Sequence, residues 1–207
     1  MTKKSLMIIG NSNVGKSSIT RLLLPYPKKF KGKSGKQPGS TLLIKPIIQN
    51  GMPYQIVDLP GFGFMAKPSH RREEHVKTQI VQHIERNHEN YFISLIVINI
   101  LRVEDELNKY FIQNKQTIPL SFELIKFIGE FGVPSLVIFN KIDKVSNYDM
   151  TKRINSFLEH AKKFELNLIH LDEFDSKNES MVPYLEFSAL KKTNLDKLMK
   201  FITRTLK

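Results

Sequence analysis

Cysteine is absent from the chain. That excludes disulfides, Cys-ligated zinc, iron–sulfur clusters and thiol catalysis, and with them any dependence on an oxidising compartment, so a cytoplasmic home is expected. Long hydrophobic runs are missing too. The longest, Phe92 to Leu101, is interrupted by Ser94 and Asn99 and falls well short of the roughly 20 residues of a helical membrane span. It reads as a buried strand. The two lysines near the start lead only to a short apolar run ending at Gly10, without the apolar h-region and cleavage site of a signal peptide. No HExxH occurs, and His70, His75, His83 and His88 stand at spacings of five and eight, which do not place two zinc ligands one helical turn apart; they read as surface residues. Acidic residues are in deficit, 20 against 32 Lys plus Arg, for a net charge of +12. An excess of that size favours a polyanionic partner, RNA or an acidic membrane surface. No Gly-, Ser- or Pro-rich linker and no internal repeat divides the 207 residues, so one domain over 1–207 is expected.

Apolar runs bounded by turn residues alternate with helical segments, the pattern of an α/β domain on a largely parallel sheet. Strands are expected at Ser5–Ile9, Leu42–Gln49, Tyr54–Asp58, Ile93–Leu101, Ser135–Asn140 and Tyr184–Phe187. Only Asn50 to Pro53 separates the second from the third, short enough for a hairpin, so the six-stranded sheet should be mixed. Helices are expected at Lys16–Leu24 (stopped by Pro25 and Pro27), Arg72–Asn87, Phe122–Phe131, Tyr148–Lys163 and Thr193–Leu206. Arg102 to Ser121 carries no clear pattern, and Asp172 to Ser180 reads as an acidic loop.

Gly10-Asn11-Ser12-Asn13-Val14-Gly15-Lys16-Ser17 fits G-x-x-x-x-G-K-[ST], between an apolar strand and a helical segment that continues with Ser18. Glycines let the backbone curl so that successive N–H groups face phosphate oxygens, and the helix N-terminus adds partial positive charge. Lys16 would neutralise the β/γ-phosphates and the Ser17 hydroxyl would ligate Mg²⁺. Asn140-Lys141-Ile142-Asp143 follows another apolar strand, at its carboxyl end on the ligand side of the sheet. Asp143 would accept from the ring N–H and exocyclic amine of guanine, whereas adenine would leave the carboxylate unpaired. Asn140 would bond the base edge and tie its loop to the phosphate loop, with the Lys141 stem on the ring face. Asp58-Leu59-Pro60-Gly61 ends the third strand, where Asp58 would hold Mg²⁺ through water and the Gly61 N–H would sense the γ-phosphate. Ser188-Ala189-Leu190 follows the last strand, where a backbone N–H can reach the guanine carbonyl oxygen.

The four motifs GNSNVGKS, DLPG, NKID and SAL resemble the translation-factor-related GTPases. Within that class GNSNVGKSS, KQPGST and DLPGFGF resemble the EngB (YihA) family, and the stretch IPLSFELIKFIGEFGVPSLVIFNKID is most like its archaeal members. The resemblance implies a three-layer P-loop GTPase domain with a mostly parallel mixed sheet, helices on both faces, a first switch over about 25–41 and a second over about 58–72. It implies GTP and GDP as ligands and a role in assembling the large ribosomal subunit, with an association to cell division and septation. Gly39-Ser40-Thr41 aligns with the family's PGRT segment, which makes Thr41 the switch threonine that ligates Mg²⁺ and contacts the γ-phosphate. With Lys16 and Gly61 it forms the expected catalytic set. The chain departs from bacterial members at Ser40 and Leu42, where they carry Arg and Gln, and at NILRVED after the fourth strand, where they carry an acidic residue followed by Arg.

Two catalytic groups are missing. The position after Gly61, a water-orienting glutamine in many switch GTPases, is Phe62, and no arginine lies between Leu22 and Ile44. Slow intrinsic hydrolysis is therefore expected. Asn13 is a candidate K⁺ ligand, and K⁺ there would replace an arginine finger electrostatically. Lys28, Lys29, Lys31, Lys33 and Lys36 fall in the first switch and are candidates for nucleotide-dependent contact with ribosomal RNA on the large subunit; a solvated basic loop is the plainer alternative. His70, Arg71, Arg72, Lys191 and Lys192 could extend that surface. The rival function is a GTP-dependent module, not ribosome-bound, that recruits a cell-division or membrane-surface protein. A monomer is expected in either case.

Overall fold

The computed structural model describes residues 3–30, 44, 46–61, 70–113, 118–175 and 180–207. In chain order the elements are β1 (Ser5–Gly10), α1 (Lys16–Leu23), β2 (Pro46–Ile47), β3 (Gln55–Asp58), α2 (His70–Asn87), β4 (Tyr91–Asn99), α3 (Val103–Asn108), α4 (Leu120–Glu130), β5 (Ser135–Asn140), α5 (Asn147–Lys162), β6 (Leu168–His170), β7 (Val182–Phe187) and α6 (Leu195–Leu206). The sheet runs β2-β3-β1-β4-β5-β7-β6. The β2–β3 pair is antiparallel and every other pair is parallel. Strands β1 and β4 are buried along their whole length, which is why they read as unbroken apolar runs rather than as alternation.

The sheet has seven strands, not the six expected. The addition, β6, is an edge strand of three half-buried residues paired only with β7, too short for its period to stand out. The strand expected over Leu42–Gln49 is present among the described residues only as Pro46–Ile47. The unassigned stretch after Arg102 starts with α3 and a π-turn over Lys109–Gln113. Glu106 of α3 accepts from both the backbone N (2.9 Å) and the hydroxyl (2.7 Å) of Ser121 in the first turn of α4. Arg153 of α5 donates to the Ile100 carbonyl at 3.3 Å and meets Glu104 at 3.3 Å. These are long-range contacts that local pattern cannot announce.

Two apolar clusters sandwich the sheet. Leu6, Ile8, Ile56, Leu95 and Leu185 turn to α1 and α6, meeting Ile19, Leu23, Leu198 and Ile202. Met7, Ile9, Ile96, Val137 and Phe139 turn to the other helices, meeting Ile80, Ile84, Phe122, Ile125 and Phe157. Helices thus cover both faces, and the carboxyl ends of β1, β3, β4, β5 and β7 share one rim.

On α2, His83 Nε2 lies 2.6 Å from the Tyr91 hydroxyl at the start of β4, and burial holds the His83 pKa below its ordinary value. The unfolded chain therefore binds the proton more tightly. The contribution is complete above about pH 6.5 and is lost as pH falls through the unfolded value toward the folded one. Melting temperature should drop on acidification from pH 7.5 to 5.5, and part of that drop should vanish in His83→Gln, which keeps an acceptor for the hydroxyl but does not titrate. Identical acid sensitivity in the two proteins would refute the assignment.

Candidate nucleotide-binding site

The rim is built by the loops that leave the strands. After β1 the chain turns left-handed at Asn13 (φ 63°) and Gly15 (φ 106°), curling residues 10–15 into a concave loop that feeds the first turn of α1 at Lys16, Ser17 and Ser18. The Val14 side chain is buried beneath it, among the residues packed against α1. Lys16, only 8% exposed, donates to the carbonyls of Gly10 (3.0 Å) and Asn11 (2.8 Å). Burial brings its pKa down to about 8, with the negative charge of Asp58 working the other way. Phosphate oxygens would favour the charged amine and supply the partners that burial withholds.

Asp58 closes β3 beside this loop. Its Oδ2 accepts from the Ser17 hydroxyl at 3.0 Å, while Oδ1 is buried without a hydrogen-bond partner. Burial raises the Asp58 pKa, against the Lys16 charge and the Ser17 and Thr20 hydroxyls. An orphaned carboxylate oxygen next to a hydroxyl is a hard-oxygen donor set that fits Mg²⁺. Leu59 N donates to the Ile8 carbonyl (3.0 Å), carrying the β3–β1 ladder past Asp58 to the buried Pro60. Gly61 then presses against Ser12: a Cβ on it would lie 2.8 Å from Ser12 Cα and 2.9 Å from Ser12 N. No side chain fits there without parting the two loops.

The base side is tied to the phosphate side through Asn140, which is 1% exposed. Its Nδ2 donates to the Val14 carbonyl at 2.7 Å, and its Oδ1 accepts from the Ala189 N–H at 3.0 Å. Lys141, left-handed at φ 71°, donates from Nζ to the Asn13 carbonyl at 2.5 Å. Burial and the nearby charges of Lys144 and Arg102 lower its pKa. Asp143 Oδ1 accepts from the Ser188 hydroxyl at 2.5 Å, and that hydroxyl in turn accepts from Lys191 N at 3.0 Å. Leu190 stands 73% exposed at the rim.

Residues 10–18, 58–61, 140–143 and 188–190 therefore meet at one rim. Gly39, Ser40, Thr41, Phe62, Lys31, Lys33 and Lys36 lie outside the described residues, and Lys28 and Lys29 are exposed in a short turn after α1. Sequence reasoning missed the Ser188 hydroxyl as the group that holds Asp143 and the fit of Gly61 on Ser12. A serine placed where a strand ends opposite a lone aspartate was the available signal for the first. Pairwise packing of two distant loops leaves none for the second.

The family model described as 50S ribosome-binding GTPase matches residues 5–141, the segment from β1 through the asparagine and lysine of the base loop. The probable GTP-binding protein EngB of Methanococcus aeolicus is 31% identical over 156 residues, 75% of this chain and just under two thirds (65%) of that protein. The EngB protein of Pyrococcus horikoshii is 31% identical over 169 residues, 82% of this chain and 72% of its own length. A crystal structure of a probable GTP-binding protein EngB superposes with a TM-score of 0.72 at 27% identity, covering 98% of each chain. Era, in complex with MgGDPNP and a 16S ribosomal RNA fragment, superposes with a TM-score of 0.63 at 22% identity over 99% of this chain and 57% of Era, a likeness of fold. With the 50S ribosome-binding GTPase model covering β1 to the base loop and 31% identity to the Pyrococcus horikoshii EngB protein over 72% of its length, the chain belongs to the EngB family of GTP-binding proteins.

Proposed function

We propose that the protein is a Mg²⁺-dependent GTP switch with slow intrinsic hydrolysis that acts in the cytoplasm, as a monomer, on the assembly of the large ribosomal subunit. One observation carries the nucleotide part of this reading. Asn140 bonds the phosphate loop through Val14 and the last turn through Ala189, so both ends of a guanine nucleotide would meet a single preformed cradle with Asp143 at its base end. The ribosomal part is supported by the description of the matching family model and by the net charge of +12.

In this reading the N–H groups of the curled loop and Lys16 bind the β- and γ-phosphates. Ser17, Asp58 and Thr41 would hold Mg²⁺, which would supply neutralisation of the negative charge on the phosphates. Gly61 reports the γ-phosphate to the second switch through its N–H, while its contact with Ser12 keeps that N–H beside the phosphate loop. With Phe62 in the usual glutamine position and no arginine in the first switch, turnover of the isolated protein should be on the order of 10⁻⁴ to 10⁻² per second. Asn13 is the candidate K⁺ ligand. KCl should therefore give a faster rate than NaCl at equal ionic strength, and equal rates would remove that role.

The test is co-sedimentation of the GDP-bound and GTP-analogue-bound forms with ribosomal subunits and precursors from the same cells, followed by hydrolysis rates with and without them. The expected result is GTP-dependent retention on large-subunit particles with faster hydrolysis, weakened by charge reversal at Lys28 and Lys29. Binding in neither state would instead favour a switch that recruits a division or membrane-surface protein.

A further inference from the structure

The turn that carries Ser188 and Ala189 is held by a residue outside the four motifs. Asn194 is the N-cap of α6, yet it does not cap in the usual way. An N-cap asparagine ordinarily has extended backbone and accepts from an N–H of the first helical turn. Asn194 is left-handed (φ 61°, ψ 19°) and gives its own helix no side-chain bond. Its amide turns the other way. Nδ2 donates to the Glu186 carbonyl at 2.8 Å, across the mouth of the turn between β7 and α6. Asparagine enters the left-handed region more readily than most residues with a side chain, so one residue supplies both the reversal of the chain and the tie.

The tie ends next to the base loop. Glu186 stands opposite Phe139 in the β5–β7 pairing, and the next pair is Asn140 with Phe187. The start of α6 is thereby fixed to the strand pair that carries Asn140. Within the turn, Ser188 and Thr193 form an antiparallel bridge, and Lys191 N donates to the Ser188 hydroxyl at 3.0 Å. Lys192, also left-handed at φ 58°, accepts from Leu195 N at 3.3 Å. Ser188 is fully buried and Asn194 half-buried, whereas residues 190–193 are exposed. Exposed residues have little packing to hold them, so this turn keeps its shape through hydrogen bonds.

We propose that Asn194 is a positioning residue of the guanine site. By tying the start of α6 to Glu186 it holds Ser188 and Ala189 where they meet Asp143 and Asn140, and so sets how strongly the site prefers guanine. The inference rests on the guanine-site reading above. A hydrogen bond weakens steeply as its partners part or tilt. A turn freed at Asn194 lets the Ser188 hydroxyl and the Ala189 N–H leave their acceptors together, and Asp143 loses the contact that orients its carboxylate. Lys16 and Ser17, which would meet the phosphates, keep partners of their own at Gly10, Asn11 and Asp58. The loss therefore falls on the base.

The test titrates the full chain with GDP, with inosine diphosphate, whose base lacks the exocyclic amine, and with ADP. Asn194→Gly keeps the left-handed backbone and removes the amide. Asn194→Asp keeps the size of the side chain but sets a carboxylate against the Glu186 carbonyl. Each variant should bind GDP about tenfold more weakly, and the preference for GDP over inosine diphosphate should shrink about threefold. A general loosening of the protein would weaken both diphosphates alike and leave that ratio fixed. On a Ser188→Ala background the same changes should cost less than about threefold, because the hydroxyl through which they chiefly act is gone. Wild-type GDP affinity in both variants, an unchanged ratio, or full additivity with Ser188→Ala would overturn the role of Asn194 and leave the base site standing. Equal binding of GDP and ADP by the wild type would overturn the base-site reading itself, and this inference with it.

Discussion

Exchanging Asp143 for asparagine should lower GTP affinity by about 10³-fold and move the preference to xanthosine nucleotides. In the proposed site the carboxylate would offer oxygens to two guanine donors, and each charge-assisted hydrogen bond contributes about 1.5–3 kcal/mol. An amide at the same place turns an NH₂ group toward one of those donors, so one pair is lost and another is opposed. Xanthine, with a carbonyl in place of the exocyclic amine, can accept from that NH₂. The loss should be confined to the base. Asp143 is held by the Ser188 hydroxyl, which an asparagine oxygen can still accept, so the turn keeps its shape. Calorimetric titration with GTP and xanthosine triphosphate checks this, and unchanged GTP affinity would remove Asp143 from the base site.

The second large effect is at Gly15. Its backbone has φ 106°, a conformation that costs an L side chain about 1–3 kcal/mol, and a Cβ there would fall 2.2 Å from Asn140 Nδ2. A flexible surface amide could swing away, but this one is buried and bonded at both ends. Gly15→Ala should therefore break the link between the phosphate and base loops, at about 3–5 kcal/mol of stability once strain and two unpaired buried groups are included. Nucleotide affinity should fall by at least about 10³-fold. Removing the obstacle gives an internal check. Gly15→Ala/Asn140→Ala should be more stable than the sum of the two single changes by about 1–3 kcal/mol in denaturant unfolding. Strict additivity would show that the strain lies in the Gly15 backbone alone.

That these loops would meet at one rim was legible in the sequence because the chemistry expected of them demands residue types at fixed spacing. Gly15, Lys16 and Ser17 must be adjacent for one loop to wrap phosphates, and Asn140 and Asp143 must sit three apart just after a strand. The central strands were legible because burial on both faces leaves little choice of composition. What escaped depends on partners distant in sequence. The three residues of β6 are a strand only because β7 lies beside them. Helix α3 becomes intelligible once Glu106 is seen capping α4 and Arg153 holding Ile100.

The Asn140 bridge also bears on the order in which the protein comes into being. A ribosome delivers residues 10–17 early and the turn at 188–190 only near the end of the described chain, yet Asn140 needs both to satisfy its amide. Until that turn emerges, the proposed base pocket would be incomplete, and guanine nucleotide would stabilise chiefly molecules in which the far segment has docked, because a ligand adds stability to the state that binds it. Cellular GDP and GTP would thus draw nascent chains toward the finished fold, selecting those whose last strand and helix are in place.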